Sequence, residues 1–166
     1  AVIKLAASCI CGSDLWPYRG AQPVDHQQMG HEYIGEVIEV GDDVKTVKPG
    51  DFVVGSFCIS CGECATCQDG YPSRCLKAIA AGDGFIGMRS NGTQAEYARI
   101  PFADGTLVKT PAYPTAEQIP HLMAASDVLG TGWYAADAAK AGPGKTIAVV
   151  GDGAVGLGAV IGAKQL

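Results

Sequence analysis

The chain has 166 residues, of which 48% are hydrophobic and 17% charged, enough to bury a core and ordinary for a globular chain of one domain or slightly more. Its net charge of -5 and its pI near 5.0 give no cationic surface for a nucleic-acid backbone or an anionic membrane, so neither is expected as a partner. No run approaches the roughly 18 apolar residues that span a bilayer, and Ala1 to Ile10 lacks a basic segment ahead of a longer apolar one; the cytoplasm is the expected compartment.

The opening Ala-Val and the stop at Leu166 inside an apolar, helix-like run suggest that both ends are cuts in a longer polypeptide. In chain order, short runs rich in β-branched and aromatic residues occur at Val2 to Leu5, Tyr33 to Val40, Phe52 to Phe57, Gln94 to Ile100 and Thr106 to Val108. Gly, Asp, Asn and Pro separate them, which predicts a mostly β domain. Pro111, Pro114 and Pro120 punctuate the next segment. Leu122 to Ala141 then has helical spacing, with an interruption expected near Gly130 and Gly132. Finally, Thr146 to Val150 reads as a strand, followed by a glycine-rich turn and a helix from Ala154. The expected domains are 1–127, mostly β, and 128–166, the start of an α/β domain.

Seven cysteines are an odd count for a disulfide framework, and five of them, Cys58, Cys61, Cys64, Cys67 and Cys75, lie close together. In a reducing compartment that density points to metal. Cys61, Cys64, Cys67 and Cys75 have the spacing C-x2-C-x2-C-x7-C, which can close four thiolates around a tetrahedral zinc and leave no position for substrate. Such a site is structural; in zinc peptides it contributes on the order of 10 to 16 kcal/mol. Cys58 stands in the same spacing before Cys61 and could replace one of the four. The turn freed by Gly62 favours the set that starts at Cys61.

Cys11-Gly-Ser13-Asp14 and Gly30-His31-Glu32 are each weak signals alone, since a single Cys or His is usually a packing residue. From Gly30 the sequence runs Gly-His-Glu-Tyr-Ile-Gly-Glu-Val-Ile-Glu-Val-Gly-Asp-Asp-Val, and here it resembles the zinc signature of the medium-chain alcohol dehydrogenases. Cys11 with Ser13, the four-cysteine lobe, Pro49-Gly50-Asp51 and the final glycine motif follow in that family's order, so the resemblance covers essentially the whole chain. It implies a GroES-like catalytic domain followed by the first β-α unit of a Rossmann domain.

By that resemblance Cys11 and His31 are ligands of a second, catalytic zinc, with Glu32 beside them as an alternating or backing carboxylate. The third ligand position, a cysteine in many members, matches Asp127 in Ser126-Asp-Val-Leu-Gly-Thr-Gly132, and some branches use aspartate there. A helix N-cap is the alternative role for Asp127. One thiolate, one carboxylate and a neutral imidazole suit zinc and leave a fourth position open. Ser13 matches the hydroxyl that starts a proton relay. Where some relatives have a relay histidine three residues on, this chain has Trp16, which either lines the substrate pocket or packs in the core. Cys9, Cys58, His26 and His121 are expected to be packing or surface residues.

Gly151-Asp-Gly153-Ala-Val-Gly156 follows an apolar strand and opens a helix, the context of a dinucleotide fingerprint. The residue that separates NAD from NADP is expected about 20 residues further on, beyond Leu166. The resemblance implies hydride transfer between a small alcohol or aldehyde and NAD or NADP, in a homo-oligomer, dimer or tetramer. The piece alone is expected to be inactive. The competing reading is a non-catalytic zinc-binding module, structural or redox-sensing.

Overall fold

The computed structural model describes residues 1–87 and 92–166, in two compact units, Ala1–Met123 and Ala124–Leu166. The first is built on a five-stranded antiparallel sheet. Its strands are β1 (Val2–Ser8), β2 (Tyr33–Glu39), β3 (Phe52–Gly55), β4 (Tyr97–Arg99) and β5 (Leu107–Lys109), in the order β4-β1-β2-β3-β5. Four short helices lie in its loops, α1 (Leu15–Tyr18), α2 (Ala65–Gln68), α3 (Leu76–Ala80) and α4 (Ala103–Thr106), and α5 (Ile119–Met123) closes the unit.

The two-residue period of the strands sorts their side chains between two cores. Tyr33 and Val37 of β2 join Ile3, Val53, Ile59, Ile86, Ile100 and Leu107 on one face. Ile34, one residue out of phase, packs with Phe52 and Met123 on the other, where α5 adds Ile119 and Leu122. That second layer explains why the start of β2 is buried on both faces. Each strand expected in this unit is present, though the run from Gln94 to Ile100 is a strand only at β4.

The second unit consists of α6 (Val128–Ala138), a turn, an irregular segment and α7 (Ala154–Gln165). Two expectations need correction here. The helical run is broken at residues 124–127, not at its glycines, and α6 continues through both Gly130 and Gly132. Gly132 is a contact residue: a Cβ there would lie 2.4 Å from the Ala159 backbone nitrogen of α7. The segment from Thr146 to Val150 has the residues of a strand but forms none among the described residues, because a strand of a parallel sheet exists only by pairing with neighbours. Val150 is accordingly fully exposed, at 101%. Among the described residues no helix is long and apolar enough to cross a membrane.

Candidate metal centres and dinucleotide site

The sulfurs of Cys61, Cys64, Cys67 and Cys75 all lie within 4.8 Å of one another. Cys64 Sγ is 3.4 Å from Cys67 Sγ and 4.0 Å from Cys75 Sγ. Thiolates at about 2.3 Å from a tetrahedral ion are about 3.8 Å apart, so the donor set fits zinc as it stands. Local structure accounts for the convergence. One turn of α2 brings Cys64 and Cys67 to the same side, and Cys75 caps α3, where its sulfur accepts the Ala78 N–H at 3.4 Å.

Further amides point at the sulfurs, Cys61 N–H at Cys75 Sγ and Cys64 N–H at Cys61 Sγ, both at 3.3 Å. The Thr66 hydroxyl and the Cys67 backbone hold the Cys64 thiol well below its ordinary range. Burial and the neighbouring Cys64 sulfur push the Cys67 thiol up. Closing the thiols around a cation releases their protons. Cys58 is outside this group; it is buried and its backbone bridges Phe85.

The second group follows from the register of the first hairpin. Ser8 at the end of β1 pairs with Tyr33 at the start of β2, so the residues just beyond, Cys11 and His31-Glu32, emerge at the same end of the sheet. The zipper continues past the strands: Ser8 Oγ and the Cys9 N–H both donate to the Glu32 carbonyl, at 2.9 and 3.3 Å. Ligand atoms of Cys11, His31 and Glu32 lie within 4.8 Å of one another. Gly30 gives the loop its turn at φ +98, a backbone conformation that L side chains rarely adopt. A Cβ there would also collide with Gln94, 2.6 Å from its backbone nitrogen.

Asp14 had no role in the sequence reading, yet it organises this group. Its carboxylate is buried, its Oδ2 accepts the Cys11 N–H at 2.9 Å, and its Oδ1 faces His31 Nδ1 at 3.5 Å. With Nδ1 directed at a carboxylate, Nε2 is the nitrogen left for a metal. An acidic residue three positions after a candidate cysteine ligand was the only signal available. Phe57 was also missed as a site neighbour: its ring meets the His31 imidazole edge-on at 6.3 Å and stacks on Phe85 at 5.8 Å.

Ser13 lies in a single 3-10 turn, Gly12–Asp14, and is exposed. Trp16 is 63% exposed, which removes core packing from its two readings. His26 and His121 are exposed, and Cys9 is half-buried. Asp127 belongs to the second unit, at the residue that precedes α6, where its Oδ1 accepts the Thr131 hydroxyl at 2.7 Å.

In the glycine motif, Gly151 has φ +114 and Gly153 is the extended residue from which α7 starts. Gly156 is fixed by space, since a Cβ there would be 2.0 Å from the Gly151 carbonyl oxygen. A groove of about 460 Å³ borders the motif, lined by Ala136, Ile147, Val149 and the three glycines.

Residues 1–112 match the family model of the alcohol dehydrogenase GroES-like domain, which gives the sheet unit its class. The chain belongs to the alcohol dehydrogenase family. It is 41% identical over 171 residues to zinc-type alcohol dehydrogenase B of Aspergillus flavus, covering 99% of this chain and 38% of that protein. It is 40% identical over 172 residues to the glutathione-independent formaldehyde dehydrogenase of Pseudomonas aeruginosa, covering 99% of this chain and 43% of the relative. Its structure is similar to that of alcohol dehydrogenase TADH from Thermus sp. ATN1, with a TM-score of 0.86 at 35% identity, covering 100% of this chain and 47% of that one. The chain thus spans less than half the length of these relatives.

Proposed function

We propose that the complete protein is a zinc-dependent, NAD(P)-linked oxidoreductase that moves hydride between a small alcohol, or its aldehyde or ketone, and a nicotinamide cofactor. The observation that carries this reading is the convergence of Cys11, His31 and Glu32 at one end of the β1–β2 hairpin, with Asp14 behind the imidazole. Cys11 Sγ and His31 Nε2 are two of the ligands. Asp127 is the third by its match to the family's ligand position, and this donor set balances the charge of a divalent cation. Bound there, zinc supplies Lewis acidity toward the oxygen of an alcohol or carbonyl.

The protein's own groups do the rest. Asp14 holds the His31 tautomer, and Glu32 stands as a reserve carboxylate beside the ligands. Ser13 Oγ accepts the substrate hydroxyl proton. Its exposure supports delivery of that proton straight to water, since Trp16 has no group to relay it. The four-cysteine cage holds a second, structural zinc, and its thiols fit the reducing cytoplasm. Residues 1–127 form the catalytic domain, and 128–166 begin a Rossmann domain in which Gly151, Gly153 and Gly156 bring backbone and the α7 N-terminus against the cofactor's pyrophosphate. The family resemblance supports a homo-oligomer, dimer or tetramer, with no nucleic-acid or membrane partner.

The test is metal analysis of the complete chain together with an NAD and NADP activity screen against primary alcohols, secondary alcohols, polyols and formaldehyde. Two zinc ions per chain are expected, one lost with Cys11→Ala and the other with Cys64→Ala, with activity abolished by Cys11→Ala. A single zinc, retained in both Cys11→Ala and His31→Ala, refutes the enzyme in favour of a structural zinc module.

A further inference from the structure

Asp14 Oδ2 accepts a second hydrogen bond besides that of Cys11, from Gln94 Nε2 at 3.0 Å. The amide must present its nitrogen, because its oxygen would face a carboxylate. With Oδ2 taken by two N–H donors, Oδ1 is the oxygen directed at His31 Nδ1. The backbone of the same residue grips the other arm of the site. Gln94 N–H donates to the Met29 carbonyl at 2.9 Å and Thr93 N–H to the Gly30 carbonyl at 3.0 Å, immediately before His31. The missing Cβ of Gly30 leaves the space that the Gln94 side chain fills; a methyl there would sit 2.7 Å from Gln94 Cγ. Three separate pieces of chain, Cys11–Asp14, Met29–Glu32 and Thr93–Gln94, are therefore joined through this one residue.

We propose that Gln94 is a positioning residue for the catalytic metal, acting through Asp14 to fix the orientation of His31. The inference rests on the proposed zinc site and adds to it a group two contacts removed from the His31 ligand. It separates the effect of the donor from that of packing. Gln94→Met keeps the shape and removes the N–H, whereas Gln94→Glu keeps the shape and turns the donor into an acceptor facing Asp14.

The experiment uses the complete protein loaded with two zinc ions per chain and measures zinc release to a chromogenic chelator for both variants. The cobalt-substituted site is followed in parallel by its visible absorption bands. Losing a group that orients a metal-bound histidine typically changes affinity or activity by about 10–100-fold, and one step further out about 3–10-fold is expected for Gln94→Met. Release is expected to be faster still in Gln94→Glu, with kcat falling while KM holds and with the cobalt bands shifted. The cage zinc should leave at the unaltered rate in both, which distinguishes the effect from general misfolding. Release from Gln94→Met within twofold of the parent, or Gln94→Glu no faster than Gln94→Met, overturns the proposal. A parent protein that binds only the cage zinc instead refutes the enzyme reading, before either variant is made.

Discussion

Substituting alanine at the two glycines of α6 should move stability in opposite directions, although they stand two residues apart in the same helix. At Gly132 the added methyl would lie 2.4 Å from the Ala159 nitrogen, 2.5 Å from the Val155 oxygen and 2.6 Å from the Gly158 carbonyl carbon. All three are backbone atoms of α7, so no side chain can swing aside, and the helices must part by about 1 Å to restore an ordinary contact. Overpacking of this kind costs about 1–3 kcal/mol. The intrinsic gain of Gly→Ala within a helix, about 1 kcal/mol, offsets only part of that. The expected net loss is up to about 2 kcal/mol for Gly132→Ala. Gly130 is exposed with nothing within 4 Å of its Cβ position, so Gly130→Ala should gain about 0.5–1 kcal/mol. Urea unfolding of the complete chain, followed by the fluorescence of Trp133 on the same helix, measures both. A Gly132→Ala variant stabilised in the same direction as Gly130→Ala would refute the close-packed α6–α7 seam.

Asp14→Ala leaves the Cys11 N–H, the Gln94 amide and His31 Nδ1 without their common acceptor. Catalytic zinc affinity is expected to fall about 10–100-fold, measured by chelator competition, with the cage zinc unaffected; equal loss from both sites would contradict the separate roles given to them. Asp104, at the start of α4, offers a test by pH. Burial acts to raise its pKa, but hydrogen bonds from the Thr46 N–H and hydroxyl and from the Lys45 N–H outweigh it and hold the carboxyl below its usual range. A group depressed in the folded state stabilises the fold above its unfolded pKa, and that stability is lost as pH falls through the folded value. Asp104→Asn should lower the urea midpoint at pH 7 and flatten its decline below about pH 4; an unchanged acid slope would show that the carboxylate is not charged in these bonds.

The cage was legible in the sequence because its four ligands are close in the chain and their spacing is set by single helical turns. Cys11 and His31 were legible through resemblance. Asp14 became a site residue only once the Ser8–Tyr33 register placed its carboxylate against the imidazole, a relation between strands that no local pattern carries. The glycines of α6 failed differently. Propensity treats glycine as a weak helix former and so predicted a break, but Gly132 lacks a side chain because another helix occupies the space. The Thr146–Val150 segment has the composition of a strand and no neighbour to pair with among the described residues, so its pattern was readable while its ladder was not formed.

The geometry of the Cys11, His31 and Glu32 group derives from the sheet beneath it. Tyr33, directly after Glu32, is fully buried, and its ring lies over Gly55 of β3, where a Cβ would be 2.0 Å from the aromatic carbons. Burial drives its hydroxyl pKa upward, so it stays neutral there. An aromatic anchor at that position fixes the point at which β2 begins, and with it the two residues just before the strand. On the opposite arm Asp14 binds the backbone of Cys11 and faces His31 with the same carboxylate. Neither side chain is positioned alone, so a change that turns the His31 imidazole also shifts the backbone that carries the Cys11 sulfur. In the proposed zinc site, metal affinity and reactivity are therefore expected to be coupled through Asp14.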